Sequence, residues 1–155
     1  MNIQAAALRG KSRFLPISLI FSVFLLLVSG CQSLPTKDLA QITVDKYFKE
    51  IASKNIDSVL TLYGEQFFKV TDRNQWRATL LKLVSTMGNY QSHKLQNFRV
   101  YSGESQTGFG TFMIMTFSVK YSRFSSTETF TLIKDPEQYK IIGHNISSRA
   151  FFLVQ

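Results

Sequence analysis

The chain has 155 residues, 45% hydrophobic and 14% aromatic, with 18 Lys and Arg against 10 Asp and Glu for a net charge of +8. Its basic residues (Lys46, Lys49, Lys54, Lys69, Arg73, Arg77, Lys94, Arg99, Lys120, Arg123) form no run, which argues against a nucleic-acid partner. One cysteine excludes an internal disulfide, and with only two histidines beside it a structural zinc site is not expected.

The first element is a leader. Arg9, Lys11 and Arg13 make its start basic, and residues 1–30 contain no Asp or Glu. Residues 14–28 are apolar apart from Pro16, Ser18 and Ser22. As a helix they would cover about 22 Å of a ~30 Å hydrocarbon core, so the run suits a secretory signal better than a membrane span. It closes on Leu27-Val28-Ser29-Gly30-Cys31. That stretch resembles the lipobox of bacterial lipoproteins. The resemblance implies cleavage between Gly30 and Cys31, acylation of Cys31 on its sulfur and its new amino group, and attachment to a membrane. Each buried methylene contributes about 0.8 kcal/mol, so two or three fatty chains make dissociation negligible. Gln32 stands where Asp resembles an inner-membrane retention signal, so the expected address is the outer membrane, facing the periplasm. An uncleaved anchor helix and an ordinary signal peptide with an incidental cysteine are the competing readings.

The expected organisation is a signal peptide at 1–30, a lipidated tether at 31–36 and a single domain at 37–155. The tether, stiffened by Pro35, spans at most about 17 Å. Removing the leader leaves 125 residues with a net charge of +5. A chain of that length buries roughly two-thirds of its unfolded surface. Its scattered charge reads first as a solvated surface, and second as attraction to an anionic membrane face.

Leu39, Ile42, Tyr47, Phe48, Ile51 and Ala52 predict a first helix between Thr36 as N-cap and Asn55 as stop. Ile56, Val59, Leu60 and Tyr63 predict a short second helix ended by Gly64, followed by an inward-packing link with Phe67 and Phe68. Asp72 caps the third helix, with Gln75 as its capping-box partner. Trp76, Leu80, Leu83, Val84 and Met87 form its stripe, and Gly88 its C-terminal stop. Trp76 reads as a core anchor rather than a ligand contact. After Gly88 the apolar period falls to two. Strands are expected at 91–101, with Leu95, Phe98 and Val100 as apolar members, and at 109–121, 126–134 and 139–148. In the second of these, Met113, Met115, Phe117, Val119 and Tyr121 share a face, with Phe112 and Ile114 on the other. The fold class is therefore α+β: three N-terminal helices packed on an antiparallel meander of about four strands. The apolar tail Ala150-Phe151-Phe152-Leu153-Val154 needs burial. It has three routes: continuing the last strand, filling the sheet's open face, or joining two copies as a homodimer.

The series Tyr47-Phe48-Lys49-Glu50-Ile51-Ala52, Asn55-Ile56-Asp57, Leu62-Tyr63, Phe67-Phe68, the Trp76 helix ending in Met87-Gly88, and Tyr139-Lys140-Ile141-Ile142-Gly143-His144 carries a second resemblance. It resembles small exported bacterial domains of unknown function with the nuclear-transport-factor-2-like fold, often called cystatin-like. In those domains the last segment more often begins with Trp; here it is Tyr139. The resemblance spans roughly residues 37–148 and rests on residue types and spacings. It implies a curved sheet forming a cone with a pocket against the helices. Some relatives are isomerases or dehydratases using pocket Asp, His and Tyr; many are binding modules. This chain has no local motif matching the enzymatic ones, and fold does not carry function.

Two residues invite acid–base chemistry. Glu128 shares a strand face with Phe130 and Leu132, and His144 with Ile142 and Ile146. Lining the cone, they would be desolvated, which raises a carboxyl pKa and lowers that of histidine. The competing reading puts them at a solvated rim or in a local hydrogen bond. His93 reads as exposed, Met113 and Met115 as core rather than soft-metal ligands, and Asn145-Ile146-Ser147 as a chance glycosylation sequon. No nucleophile, metal or phosphate motif stands out, so no catalytic residue, metal or cofactor is assigned. The expected function is a non-enzymatic binding or accessory module at the membrane surface, with an envelope protein or a small apolar ligand as partner. The alternative is a small-molecule isomerase, dehydratase or hydrolase using Glu128 and His144.

Overall fold

The computed structural model describes residues 36–105, 108–136 and 138–153. Gly30, Cys31 and the rest of the expected leader and tether lie outside the described residues.

Helix α1 (Thr36–Ala52) buries Ala40, Thr43, Val44, Tyr47, Phe48 and Ile51. Each of these positions has another of them three or four residues away, so they stay on one face. Two members of the expected stripe leave it: Ile42 is 53% exposed and Ala52 is also exposed, because each lies a large angle off that face. Asn55 caps α2 (Ile56–Leu60) by accepting from the Ser58 N–H at 3.4 Å. Tyr63 lies beyond that helix and forms an isolated bridge with Ile141. Gly64 does not end α2; it is the N-cap of α3 (Glu65–Val70), which buries Phe67. The expected link is thus a further helix, and the three-helix reading is corrected. Helix α4 (Arg73–Met87) begins as expected, with the Asp72 carboxylate accepting from the Gln75 N–H at 2.9 Å, and Leu80, Leu83 and Met87 buried.

Gly88 stops α4 with φ at 85°, donating its N–H to the Val84 carbonyl. A Cβ there would run into the Ser122 hydroxyl, which also accepts from the Asn89 N–H at 2.9 Å. Gly88→Ala is expected to lower stability by about 1–3 kcal/mol, read from urea unfolding. An unchanged midpoint would contradict this role.

Strands β1 (Tyr90–Ser105), β2 (Gly108–Tyr121), β3 (Ser125–Lys134) and β4 (Tyr139–Ser147) pair antiparallel in the order β1-β2-β3-β4. The expected order, helices first and a four-stranded antiparallel sheet after, holds. Two irregularities decide what faces the helices. In β1 the register shifts between Leu95 and Asn97, so Leu95 opposes Phe117 and Phe98 opposes Met115, and both turn inward despite their odd spacing. In β4 a shift opposite Thr131 and Leu132 pairs Leu132 with Ile141 and Thr131 with Gly143. Ile141 therefore joins the core cluster on the face of His144 and Ile146, and the expected member Ile142 does not. Met113, Met115, Phe117, Val119 and Tyr121 are all buried under the helices, and Phe112 is buried on the opposite face, stacked with Tyr101. After Ser147 the chain turns into α5 (Ala150–Leu153), so the tail does not continue β4; Ala150 is buried and Phe151 packs on the core.

On the surface, Arg77 Nε lies 2.9 Å from Asp57 Oδ1 and joins α4 to α2. The hydrogen bond and charge of Arg77 hold the Asp57 carboxyl below the usual carboxylate range. A depressed folded-state value means a contribution present above the unfolded value of about 3.9 and lost as pH falls through the lowered one. In Arg77→Ala, the Asp57 midpoint followed by NMR should rise toward the ordinary value. A midpoint unmoved by the substitution would contradict the pairing.

Candidate functional site

Glu128 and His144 come from neighbouring strands and both point under the helices. Glu128 is completely buried, and the His144 side chain has no exposed surface either. His144 Nε2 lies 3.3 Å from Glu128 Oε2. This is ion-pair distance, but the atoms are off the line a hydrogen bond requires, and neither has another partner. Glu128 Oε1 accepts from Tyr121 at 2.8 Å and from Ser126 at 2.9 Å. On the far side, Tyr63 meets His144 Nδ1 at 2.7 Å.

Burial first, and the Glu128 carboxyl after it, push the Tyr47 and Tyr121 phenols well above their ordinary value. Burial does the same to Tyr63, against a smaller opposing effect from the Trp76 N–H. Tyr63 is therefore a neutral phenol at physiological pH. We assign it as donor to Nδ1, which places the imidazole proton on Nε2, facing Glu128. The array runs Tyr63 to His144 to Glu128 to Tyr121 and Ser126.

Aromatic rings fill the space around it. Phe130 stacks on His144 at 4.1 Å between centroids, and Tyr47 and Trp76 meet the imidazole edge-on at 5.1 and 5.6 Å. Phe48 and Phe117 close the next layer. Trp76 packs against the core as expected, with its indole N–H buried beside Tyr63. A recess of about 320 Å³ flanks the outer side of His144, between α4 and β4, walled by Trp76, Leu83, Ile146 and Phe151 with Lys82 at its edge.

Parity placed Glu128 with Phe130 and Leu132 and His144 with Ile146, each on its own strand, and the structure brings the two side chains together under the helices. Three members of the array were missed. Ser126 was within reach, since it stands two residues before Glu128 on the same face. Tyr121 needed the β2–β3 register, and Tyr63 needed the contact between the segment after α2 and β4; neither leaves a local mark.

His93 is corrected. It is not an exposed strand residue: its side chain is 20% exposed and stacks on Phe48 at 4.2 Å. Nδ1 meets the Tyr90 hydroxyl at 2.6 Å and Nε2 meets Asp45 at 3.0 Å. The register shift between Tyr90 and Ser92 sets it opposite Val119, on the helix side. This second array clamps α1 to β1. Among the described residues no group of three His, Cys, Asp or Glu could hold a metal ion, and no helix is long and apolar enough to cross a membrane.

The sequence profile of a family described as a protein of unknown function (DUF4019) matches residues 43–144. The chain belongs to this family. The matched segment runs from the middle of α1 to His144 and holds every residue of the array. This DUF4019 member is similar to the structure of Bd1075 from Bdellovibrio bacteriovorus, at 16% identity and a TM-score of 0.49, over 72% of this chain and 40% of that one. It is likewise similar to a candidate scytalone dehydratase from Novosphingobium aromaticivorans, at 14% identity and a TM-score of 0.49, over 72% and 83%. The chain thus spans well under half the length of the Bdellovibrio protein. No curated protein matches it. These likenesses are too distant to carry an activity across.

Proposed function

We propose that this protein is an envelope lipoprotein whose domain serves as a non-enzymatic binding or accessory module at the periplasmic face of the outer membrane. Residues 1–30 are its signal peptide, 31–36 its tether with acylated Cys31, and 37–155 a domain on the nuclear-transport-factor-2-like plan. The basic leader, the short apolar run and the small residues before Cys31 support the anchor.

The single observation that carries the binding reading is the filling of the cone. Tyr47, Trp76 and Phe130 pack directly on His144, and Glu128 is completely buried. An acid–base pair must reach the reacting atom within about 3 Å, directly or through one water. Here that space is occupied by rings. The pair instead fixes β3 and β4 to the segment after α2, and the module meets its partner through its surface.

One observation favours the enzymatic alternative. Tyr63 is hydrogen-bonded to His144, and His144 Nε2 lies 3.3 Å from Glu128 Oε2, beside the recess walled by Trp76 and Phe151. An isomerase, dehydratase or hydrolase reading would have those two rings swing aside for a small substrate. Proton NMR of the His144 imidazole separates the two. The binding reading predicts an Nε2 proton that exchanges over minutes or longer and does not move when small hydroxy and carbonyl compounds are added. Fast exchange together with ligand-dependent shifts at His144 would transfer the site to the alternative.

A further inference from the structure

In a four-stranded meander the connections alternate between the two ends of the sheet. The β1–β2 and β3–β4 connections share one end, and the first half of α1 joins them there, with Thr43 donating its hydroxyl to the Tyr139 carbonyl at 3.0 Å. The junction of α4 with β1 and the β2–β3 turn occupy the other end, where Ser122 bonds Asn89.

The first end has its own chemistry. Phe112 is the outermost β2 residue paired with β3, opposite Ile133. Phe109 lies three residues further out, about 10 Å along the strand. It is 83% exposed. Beside the β3–β4 turn, Ile42 is 53% exposed at the edge of a cleft of about 230 Å³. The charged residues lining that cleft are Lys46 and Lys134, with no carboxylate among them; the neighbouring recess holds Glu65 and Asp135 alongside Lys134 and Lys140. An exposed aromatic tip, with Glu104 as its partner on β1, an exposed aliphatic and the two ammonium groups of the cleft suit an anionic bilayer interface. Rings and aliphatic tips lie at headgroup depth while lysines reach the phosphates. Leu39 of α1 lines the cleft with Tyr139 at this same end, and α1 begins about one turn before it, at Thr36. The step from Cys31 to Thr36 reaches at most about 17 Å.

We infer that this end of the domain is a membrane-resting face: Phe109 and Ile42 enter the interface of an anionic bilayer, and Lys46 and Lys134 meet its lipid phosphates. The inference rests on the lipoprotein reading for what holds the domain at the membrane, since a tether turns a weak contact into a stable orientation. The opposite end of the sheet then faces the periplasm and its partners.

The full chain, processed in cells, purified and placed on vesicles, tests this. Labels at Phe109→Cys and Ile42→Cys report depth through quenching by brominated lipids, with Ser125→Cys at the far end as the aqueous control. On phosphatidylcholine mixed with phosphatidylglycerol, the labels at 109 and 42 should be quenched and the label at 125 should not. Lys46→Gln with Lys134→Gln should shift the immersed population toward water on the order of 30-fold on anionic vesicles, with no shift on phosphatidylcholine alone. Labels that stay aqueous at 109 and 42, with Cys31 shown acylated by mass, would overturn the face and leave the anchor standing. If mass finds a bare Cys31, the anchor falls and the face is read by flotation. The unacylated protein should then float with anionic vesicles and not with neutral ones, and the double Gln variant should stay behind. Equal flotation with both overturns the face.

Discussion

Glu128→Ala is expected to lower the unfolding free energy by about 3–5 kcal/mol, with a fall in melting temperature on the order of 15 °C. The carboxylate accepts from Tyr121 and Ser126 on one oxygen and faces His144 Nε2 with the other, and Glu128 is completely buried. Its removal leaves the Tyr121 and Ser126 hydroxyls unpaired, each costing about 1–3 kcal/mol, takes the opposing charge away from His144, and opens a cavity besides. Glu128→Gln keeps the volume and one acceptor oxygen for the two hydroxyls, and should lose about half as much. His144→Ala strips Tyr63 of its partner, but its cost should be less than additive with that of Glu128→Ala, because both remove the same contact. Urea unfolding of the two single variants and the double variant measures this. A Glu128→Ala domain as stable as the parent would mean that the array does not hold β3, β4 and the segment after α2 together.

Cys31→Ala is expected to abolish incorporation of labelled palmitate into the protein and to leave residues 1–30 attached. The effect is close to complete because the acyl groups have no other attachment point: the chain has one cysteine. On the proposed reading, two or three chains at about 0.8 kcal/mol per buried methylene would supply far more affinity than the +5 surface left by removal of residues 1–30. Growth with radiolabelled palmitate, followed by gel analysis of parent and variant, reads it. Label retained in the variant would place acylation elsewhere; label absent from the parent would remove the anchor altogether.

Much of the fold was legible because its signals are local. Asp72 and Gly88 bound α4 by capping chemistry that acts within one turn. The alternation from Met113 to Tyr121 fixes which face of β2 is buried. The same parity put Glu128 on the face of Phe130 and Leu132, and the structure buries all three, so the open choice between a cone lining and a solvated rim falls to the lining. Misread features were decided at longer range or over too few residues. Helix α3 spans six residues, too short for a period to declare itself around Phe67 and Phe68. The shift in β4 exchanged Ile142 for Ile141, and such an irregularity has no composition of its own here. His93 turned inward because Phe48 and Asp45, 45 and 48 residues away in sequence, wait for it on α1. Tyr63 and Tyr121 were invisible as members of the array for the same reason: hydrogen bonds across 81 residues to His144 and across a strand pair to Glu128 are tertiary facts.

The proposed role begins at residue 31, so the most direct measurement is the intact mass and N-terminal peptide of the protein extracted from membranes. The account predicts a chain that begins at Cys31, with residues 1–30 removed and the mass of two or three fatty acyl groups carried on that residue. A free thiol at Cys31, or a chain that still begins at Met1, would contradict it.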